Sequence, residues 1–242
     1  MEKTFRLICT GLMALAMGCN FTACSSDDDD DDENGGGGVN GNRLTSITVR
    51  WADDDDDDVE TRKFDYDNAG RIVKITYYYN GESDEFTTYQ YSDSKIIMTE
   101  DEGYGDIYIN EYTLTDGKIT NLKVTGKKNG SSYTESETTY TYNGDRLASI
   151  KNKYSTDEVT WDGDNIASVG SYKYTYTDID ASAGWNYYSG MDEVLYNEGY
   201  FGQKSQKIYK TKGSYEYSYE MSGGKITKLT CTSGESKTYS WN

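Results

Sequence analysis

Phe64-Asp65-Tyr66-Asp67-Asn68-Ala69-Gly70-Arg71-Ile72 is the stretch from which the fold is read. Phe64 and Tyr66 stand two positions apart and so share one face of a strand. Asp-Asn-Ala-Gly is turn chemistry. Arg71 and Ile72, a basic and an aliphatic residue, open the next strand. The pattern recurs at Tyr89–Ile96, Tyr112–Ile119, Tyr140–Leu147, Trp161–Ile166 and Tyr217–Ile226, and Asn42-Arg43-Leu44 is a leading half-copy. Each copy reads as a β-hairpin. Asn-Gly, Asp-Gly and Gly-Gly supply the positive φ that tight turns need. Thr, Lys, Glu and Ser fill the alternate positions, so one face is packed and the other wet.

The aliphatic anchors of the copies are spaced by 28, 24, 23, 28, 19 and then 60 residues. The shorter gaps suit one hairpin each and predict fourteen to sixteen strands in all. Sheets that wide curl. The expected fold is all-β: a single, strongly curved antiparallel meander over 43–242, forming an open half-barrel. The long gap holds an insertion, 178–204, with one short helix expected near Gly190–Asn197 because Met191, Val194 and Leu195 sit at helical spacing. Its aromatic residues Trp185, Tyr187, Tyr188, Tyr200 and Phe201 have two readings. They plug the curved sheet, which leaves apolar area to cover, or they form a binding surface. The plug is the preferred reading.

Composition narrows the chemistry. The chain has 25 Tyr, no His and no Pro. Tyr supplies apolar area in a chain with only 35% apolar residues. Without His, Ser-His-Asp and Cys-His catalysis are excluded in their usual form, as are His-ligated metals. No catalytic constellation, metal site or cofactor is expected. Glu100, Asp101 and Glu102 and the Asp157-Glu158 pair are matches to glycosidase chemistry that a chain with 42 acidic residues offers by chance. Asp53–Asp58 lacks the ligand spacing and turn glycine of a calcium loop and reads as a solvated loop. The net charge of −18 is concentrated in Asp27–Glu33 and Asp53–Asp58, which together hold thirteen acidic residues. Nucleic acid and anionic lipid headgroups are unsuitable partners for such runs.

Residues 1–23 have the plan of a secretory signal: Lys3 and Arg6, the apolar stretch Leu7–Met17, then small residues. Phe21-Thr22-Ala23-Cys24 resembles a bacterial lipobox, with Cys24 as the lipid-accepting residue; Ala16-Met17-Gly18-Cys19 is the competing candidate. Residues 24–42 form an acidic and Gly-rich tether. Asp27, Asp28, Asp29 and Asp30, close behind the cysteine, resemble the surface-export signal of Bacteroidota lipoproteins. Once the signal is removed and Cys24 lipidated, Cys231 is the remaining thiol, so no internal disulfide is expected. Its place on a strand face beside Leu229 makes it a small buried hydrophobe.

Taken together, the lipobox, acidic tether, Tyr-rich meander and late insertion resemble Bacteroidota lipoproteins that carry a domain of unknown function with a porin-like fold. The resemblance implies an open, curved antiparallel sheet and no established activity. Phe64–Ile72 also resembles a YD repeat of Rhs-type shells, a likeness confined to single turns. The alternate positions are charged or hydroxylic, as in Arg71-Ile72-Val73-Lys74-Ile75-Thr76, so a water-soluble sheet is expected rather than a membrane-spanning one. The function expected is that of a monomeric, lipid-anchored binding or structural protein on the outside of the outer membrane. Its partner is expected to be a glycan or another envelope protein. The rival expectation is a carboxylate-dependent hydrolase at the same place. Mass spectrometry of the mature N-terminus should find an acylated cysteine followed by Ser25-Ser26; a lipid-free chain, or one beginning at Cys19, would refute lipidation at Cys24.

Overall fold

The computed structural model describes residues 43–51, 59–102, 106–128 and 131–242. The stretches expected from sequence to be a signal and a tether, with Cys24 and Asp27–Asp30, and the Asp53–Asp58 run lie outside these residues. Sixteen strands follow one another: β1 (Leu44–Arg50), β2 (Val59–Tyr66), β3 (Ile72–Tyr79), β4 (Glu82–Tyr91), β5 (Lys95–Asp101), β6 (Ile107–Thr115), β7 (Lys118–Lys128) and β8 (Ser131–Asn143), then β9 (Arg146–Asn152), β10 (Thr156–Asp162), β11 (Asn165–Val169), β12 (Tyr172–Asp180), β13 (Lys207–Lys212), β14 (Tyr215–Ser222), β15 (Lys225–Cys231) and β16 (Ser236–Trp241). Every strand pairs antiparallel with its sequence neighbours. Two turns show their chemistry plainly: Asn80-Gly81 and Asp116-Gly117 have φ of 52°, 89°, 50° and 73°, the mirror-image turn that matches strand twist.

The sheet is a closed barrel, not the open half-barrel expected from sequence. β1 pairs with β16 as well as β2, placing Ile47 opposite Tyr239 and Val49 opposite Lys237. The physical reason is edge satisfaction. An open sheet would leave β1 and β16 with rows of unpaired peptide groups, and closure pairs them while burying Leu44, Ile47, Val49 and Tyr239.

The hairpin repeat has a structural meaning beyond its turns. At one end of the barrel, the aromatic residue near the end of one strand donates a hydrogen bond to the carbonyl of the aliphatic anchor on the strand before it. Tyr66 Oη donates to Leu44 O at 2.7 Å, Tyr91 Oη to Ile72 O at 2.7 Å, and Tyr142 Oη to Ile119 O at 2.6 Å. Trp161 Nε1 donates to Leu147 O at 2.9 Å, Tyr176 Oη to Ile166 O at 2.5 Å, and Trp241 Nε1 to Ile226 O at 2.7 Å. The basic residue of the repeat lies over the same ring. Arg43, Arg71, Lys118, Arg146 and Lys225 stand 5.2, 4.5, 5.4, 5.2 and 5.0 Å from the centroids of Tyr66, Tyr91, Tyr142, Trp161 and Trp241. Leu114 interrupts the series, and there Lys95 instead pairs with Glu111 at 2.8 Å.

The segment between β12 and β13 folds into this clasped end. A 3₁₀ turn (Ala181–Ala183) leads to helix α1 (Glu193–Asn197). The helix starts three residues later than the spacing predicts, because Asp192 caps it: Asp192 Oδ1 accepts from the Leu195 N–H at 2.8 Å. Tyr188, Leu195 and Phe201 are almost wholly buried and join the inward-facing strand residues in one core. The segment also takes up backbone donors of the anchors. Ile72 N–H donates to Glu198 Oε1 (2.8 Å), Ile119 N–H to Tyr200 O (2.8 Å) and Ile166 N–H to Ser205 Oγ (3.0 Å). Cys231 is buried.

The outer wall is polar. Thr141 and Ser149, Thr160 and Ser168, and Thr175 and Thr211 pair hydroxyls across strands at 2.7, 2.7 and 2.8 Å. Outward aromatic rings carry cations: Lys63 over Tyr78 at 4.7 Å and Lys74 over Phe86 at 5.0 Å.

Two substitutions separate clasp from core. Tyr142→Phe strips Ile119 O of its donor and should cost about 1–3 kcal/mol. Leu195→Ala opens a cavity and should cost about 2–5 kcal/mol. Denaturant melts measure both, and an unmoved midpoint for Leu195→Ala would mean that α1 does not pack on the barrel.

Candidate functional site: the barrel mouth

The two ends of the barrel differ in kind. On several strands the inward residues change from apolar near the clasped end to polar at the far end, the mouth, whereas β1, β11 and β15 stay apolar as far as Val49, Val169 and Cys231. On β2 they run Tyr66, Phe64, Arg62, Glu60; on β4, Tyr91, Tyr89, Thr87; on β5, Ile96, Met98, Glu100. On β16 they run Trp241, Tyr239, Lys237. The insertion fills the apolar layers, leaving a polar mouth beyond it. The chain joins the barrel at the clasped end, where Arg43 and Asn242 exchange hydrogen bonds of 3.1 and 3.0 Å.

At the boundary between plug and mouth lies a set of carboxyl groups among tyrosines. Tyr89 Oη donates to Asp192 Oδ2 at 3.2 Å. Burial raises the Asp192 carboxyl to about 6 against the pull of its hydrogen bonds. Burial, with the charge of Asp192, raises Glu100 to about 7. Glu198, closer to the clasped end, is raised to about 7 by burial. Geometry agrees for Glu198. Tyr91 Oη lies 2.7 Å from Ile72 O and 3.0 Å from Glu198 Oε2. One hydroxyl proton cannot serve both acceptors well. If it goes to Ile72 O, the nearer one, a protonated Glu198 completes the relay by donating to Tyr91 Oη.

The mouth itself presents rings. Among the described residues the large aromatic side chains that stay exposed are Trp51, Tyr133, Tyr154, Tyr172, Tyr187 and Tyr215. Trp51 follows β1, Tyr133 stands near the start of β8, Tyr154 is in the β9–β10 turn, and Tyr172 and Tyr215 begin β12 and β14. All five therefore lie at the mouth end, and Tyr187 lies on the plug. Met221, also exposed, is at the clasped end. Among the inward cations, Arg62 pairs with Glu60, and Lys237 with Glu235 at 3.4 Å. Lys212 stands over Tyr187 at 4.0 Å and over Tyr172 at 5.7 Å from the ring centroids.

The five aromatic residues singled out from sequence do not form one surface. Tyr188 is fully buried, edge-on to Tyr174 and Tyr196 at 4.9 and 4.8 Å, and donates to Ser205 Oγ at 2.8 Å. Phe201 is buried against Tyr140 (5.2 Å), and half-buried Tyr200 stacks on Tyr91 (5.9 Å). Trp185 is half-buried, its ring 5.4 Å from Phe64. Tyr187 alone of the five is exposed. Sequence reasoning missed Lys212, Tyr172 and Asp192. Lys212 sits in Lys210-Thr211-Lys212, an ordinary alternation, and nothing local marks it as inward. Among the described residues no group of His, Cys, Asp and Glu is arranged to hold a metal ion.

Two solved structures share this architecture. A porin-like protein from Bacteroides uniformis ATCC 8492 superposes with a TM-score of 0.58 at 17% identity, covering 82% of this chain and 98% of that one. A porin-like protein from Bacteroides vulgatus ATCC 8482 does so with a TM-score of 0.51 at 14% identity and the same coverage, 82% and 98%. No protein-family model matches the sequence, and no curated protein does. At these identities the likeness is one of fold, and it establishes the porin-like fold for this chain.

The raised carboxyls predict an unusual pH dependence. Unfolded carboxyls titrate near 4, whereas Asp192, Glu100 and Glu198 hold protons to about 6–7. Between these values the folded state binds more protons, so their contribution is complete below about pH 4 and is lost as pH rises through 6–7. The chain has no His to confuse this window. The thermal midpoint should therefore fall between pH 5.5 and 8, by on the order of 2–4 °C per kcal/mol lost. Glu198→Gln keeps an acceptor for Ile72 N–H and a donor for Tyr91, so it should fold and show a shallower fall. An unchanged slope would show that Glu198 is ionised at neutral pH.

Proposed function

We propose that the protein is a lipid-anchored binding protein of the outer-membrane surface, held by Cys24 and engaging a glycan or an envelope protein through the barrel mouth. The observation that carries this reading is the gathering of exposed aromatic rings at the end opposite to where the chain joins the barrel. Tyr and Trp offer large contact area at small entropic cost. A tether joined at the clasped end turns the mouth away from the membrane. The polar outer wall supports a barrel standing in water, since a lipid-facing wall needs an apolar band. A closed barrel offers no free edge strand to a second copy, which favours a monomer.

The rival hydrolase reading draws on Glu100 and Asp192, two interacting carboxyls near the mouth. Carboxylate catalysis sets its two groups apart, one ionised and one protonated. Here both are raised, and Asp192 is occupied in capping α1. This favours binding over hydrolysis.

Retention of the folded domain on isolated cell-envelope polysaccharide and outer-membrane protein fractions tests the proposal. Trp51→Ala/Tyr154→Ala/Tyr215→Ala should lower retention at least tenfold, with Met221→Ala at the clasped end as an unaffected control. Equal retention of the triple variant and the parent would remove the mouth as the binding surface.

A further inference from the structure

Lys212 is the last residue of β13. It pairs with Tyr174 on β12 and Tyr215 on β14. Tyr174 is buried inward, and the neighbouring Thr175–Thr211 hydroxyl pair faces outward. Lys212 therefore points into the barrel. Its ammonium stands over the faces of Tyr187 and Tyr172, both only about half covered. Cation–π contact of this kind partly replaces water but brings no negative charge. Among the described residues no carboxylate comes within ion-pair distance of Lys212, whereas Arg62 and Lys237 each have one. Its electrostatic surroundings consist of Lys237, Glu193 and Glu235. Burial and then Lys237 lower its pKa and outweigh Glu193 and Glu235, which raise it without forming an ion pair with it.

We infer that Lys212, flanked by Tyr172 and Tyr187, is the subsite for a carboxylated sugar at the end of an otherwise neutral oligosaccharide. The inference rests on the binding reading above and names its ligand. A pyranose ring offers an apolar C–H face to a tyrosine, and its carboxylate supplies the charge that Lys212 lacks. Tyr187 lies on the plug inside the barrel, so the ligand must be slender. An extended peptide is slender too, but it gains affinity by adding to a sheet edge, and the closed barrel has none. A polyanion is disfavoured because Glu60, Glu100, Glu193 and Glu235 occupy the same interior. One acidic residue on a neutral chain meets Lys212 without bringing further charges past those carboxyls.

Isothermal titration of the lipid-free mature chain decides this. The ligands are a neutral oligosaccharide capped by glucuronate or by sialate, and the same compounds with the carboxylate reduced to an alcohol. At least one acidic ligand should bind about tenfold tighter than its reduced form or better, the size of one charge-assisted contact. Lys212→Met keeps the apolar stem over Tyr187 and should erase that preference, with the reduced ligand bound as before. Tyr187→Ala should weaken both forms. Circular dichroism melts confirm that each variant is folded. Equal binding of acidic and reduced ligands, or a preference that survives Lys212→Met, overturns the subsite. No binding of any ligand, with envelope retention still lost in the mouth triple variant, overturns the sugar inference and leaves the binding mouth standing. Retention unaffected by the triple variant overturns both.

Discussion

The carbonyls of the aliphatic anchors at the clasped end need partners, since a buried peptide group without one costs free energy comparable to a lost hydrogen bond. Six of these carbonyls accept from Tyr or Trp on the following strand. The aromatic residue thus does two things at once: its ring fills interior volume and its polar tip satisfies the rim. Leu or Val could do only the first. In five of the six a basic residue before the anchor lies over the same ring and fixes one hairpin against the next. This accounts for a chain with 25 Tyr and few large aliphatic residues.

Closing sixteen strands encloses more space than side chains of the wall can fill, since barrels of that size otherwise leave a channel. The insertion fills the clasped half, and its hydrogen bonds are as particular as its packing. Glu198, Tyr200 and Ser205 accept from the backbone N–H groups of Ile72, Ile119 and Ile166. Plug and wall therefore share one set of peptide groups. Two carboxyls serve inside this arrangement, Asp192 as a helix cap and Glu198 as an acceptor, and burial favours their neutral forms. A buried neutral acid can both accept and donate, which suits the relay from Glu198 through Tyr91 to Ile72 O.

Much of this was legible in the sequence because it is local. Turn residues, the aromatic alternation and the basic-aliphatic opening of every odd strand but β11 lie within nine or ten residues of one another, and they place strands and turns correctly. Closure was not legible. The ladder between Leu44–Arg50 and Ser236–Trp241 joins the two ends of the domain, and neither strand carries a mark of its distant partner. The helix was placed too early because apolar spacing registers Met191, whereas the cap at Asp192 sets the start. The mouth was the least legible part. Lys212 and Tyr172 lie on neighbouring strands, forty residues apart in sequence, and meet only because the insertion between them folds back and brings Tyr187 beneath Lys212.

The same polarity pattern argues for a division of labour along the barrel axis. A porin keeps apolar residues outside and polar ones within. Here the outer wall pairs hydroxyls and charges, and the interior is apolar through the clasped half and mixed toward the mouth, where Val49 and Val169 are buried and Val49 stands between Glu60 and Lys237. The clasped half is filled by the insertion, whose buried side chains join the wall residues in one core. The exposed rings gather at the opposite end, away from the clasps and the plug core. Substitution among these rings therefore leaves the clasps and the plug core intact, which separates the exposed rings from the residues that hold the fold.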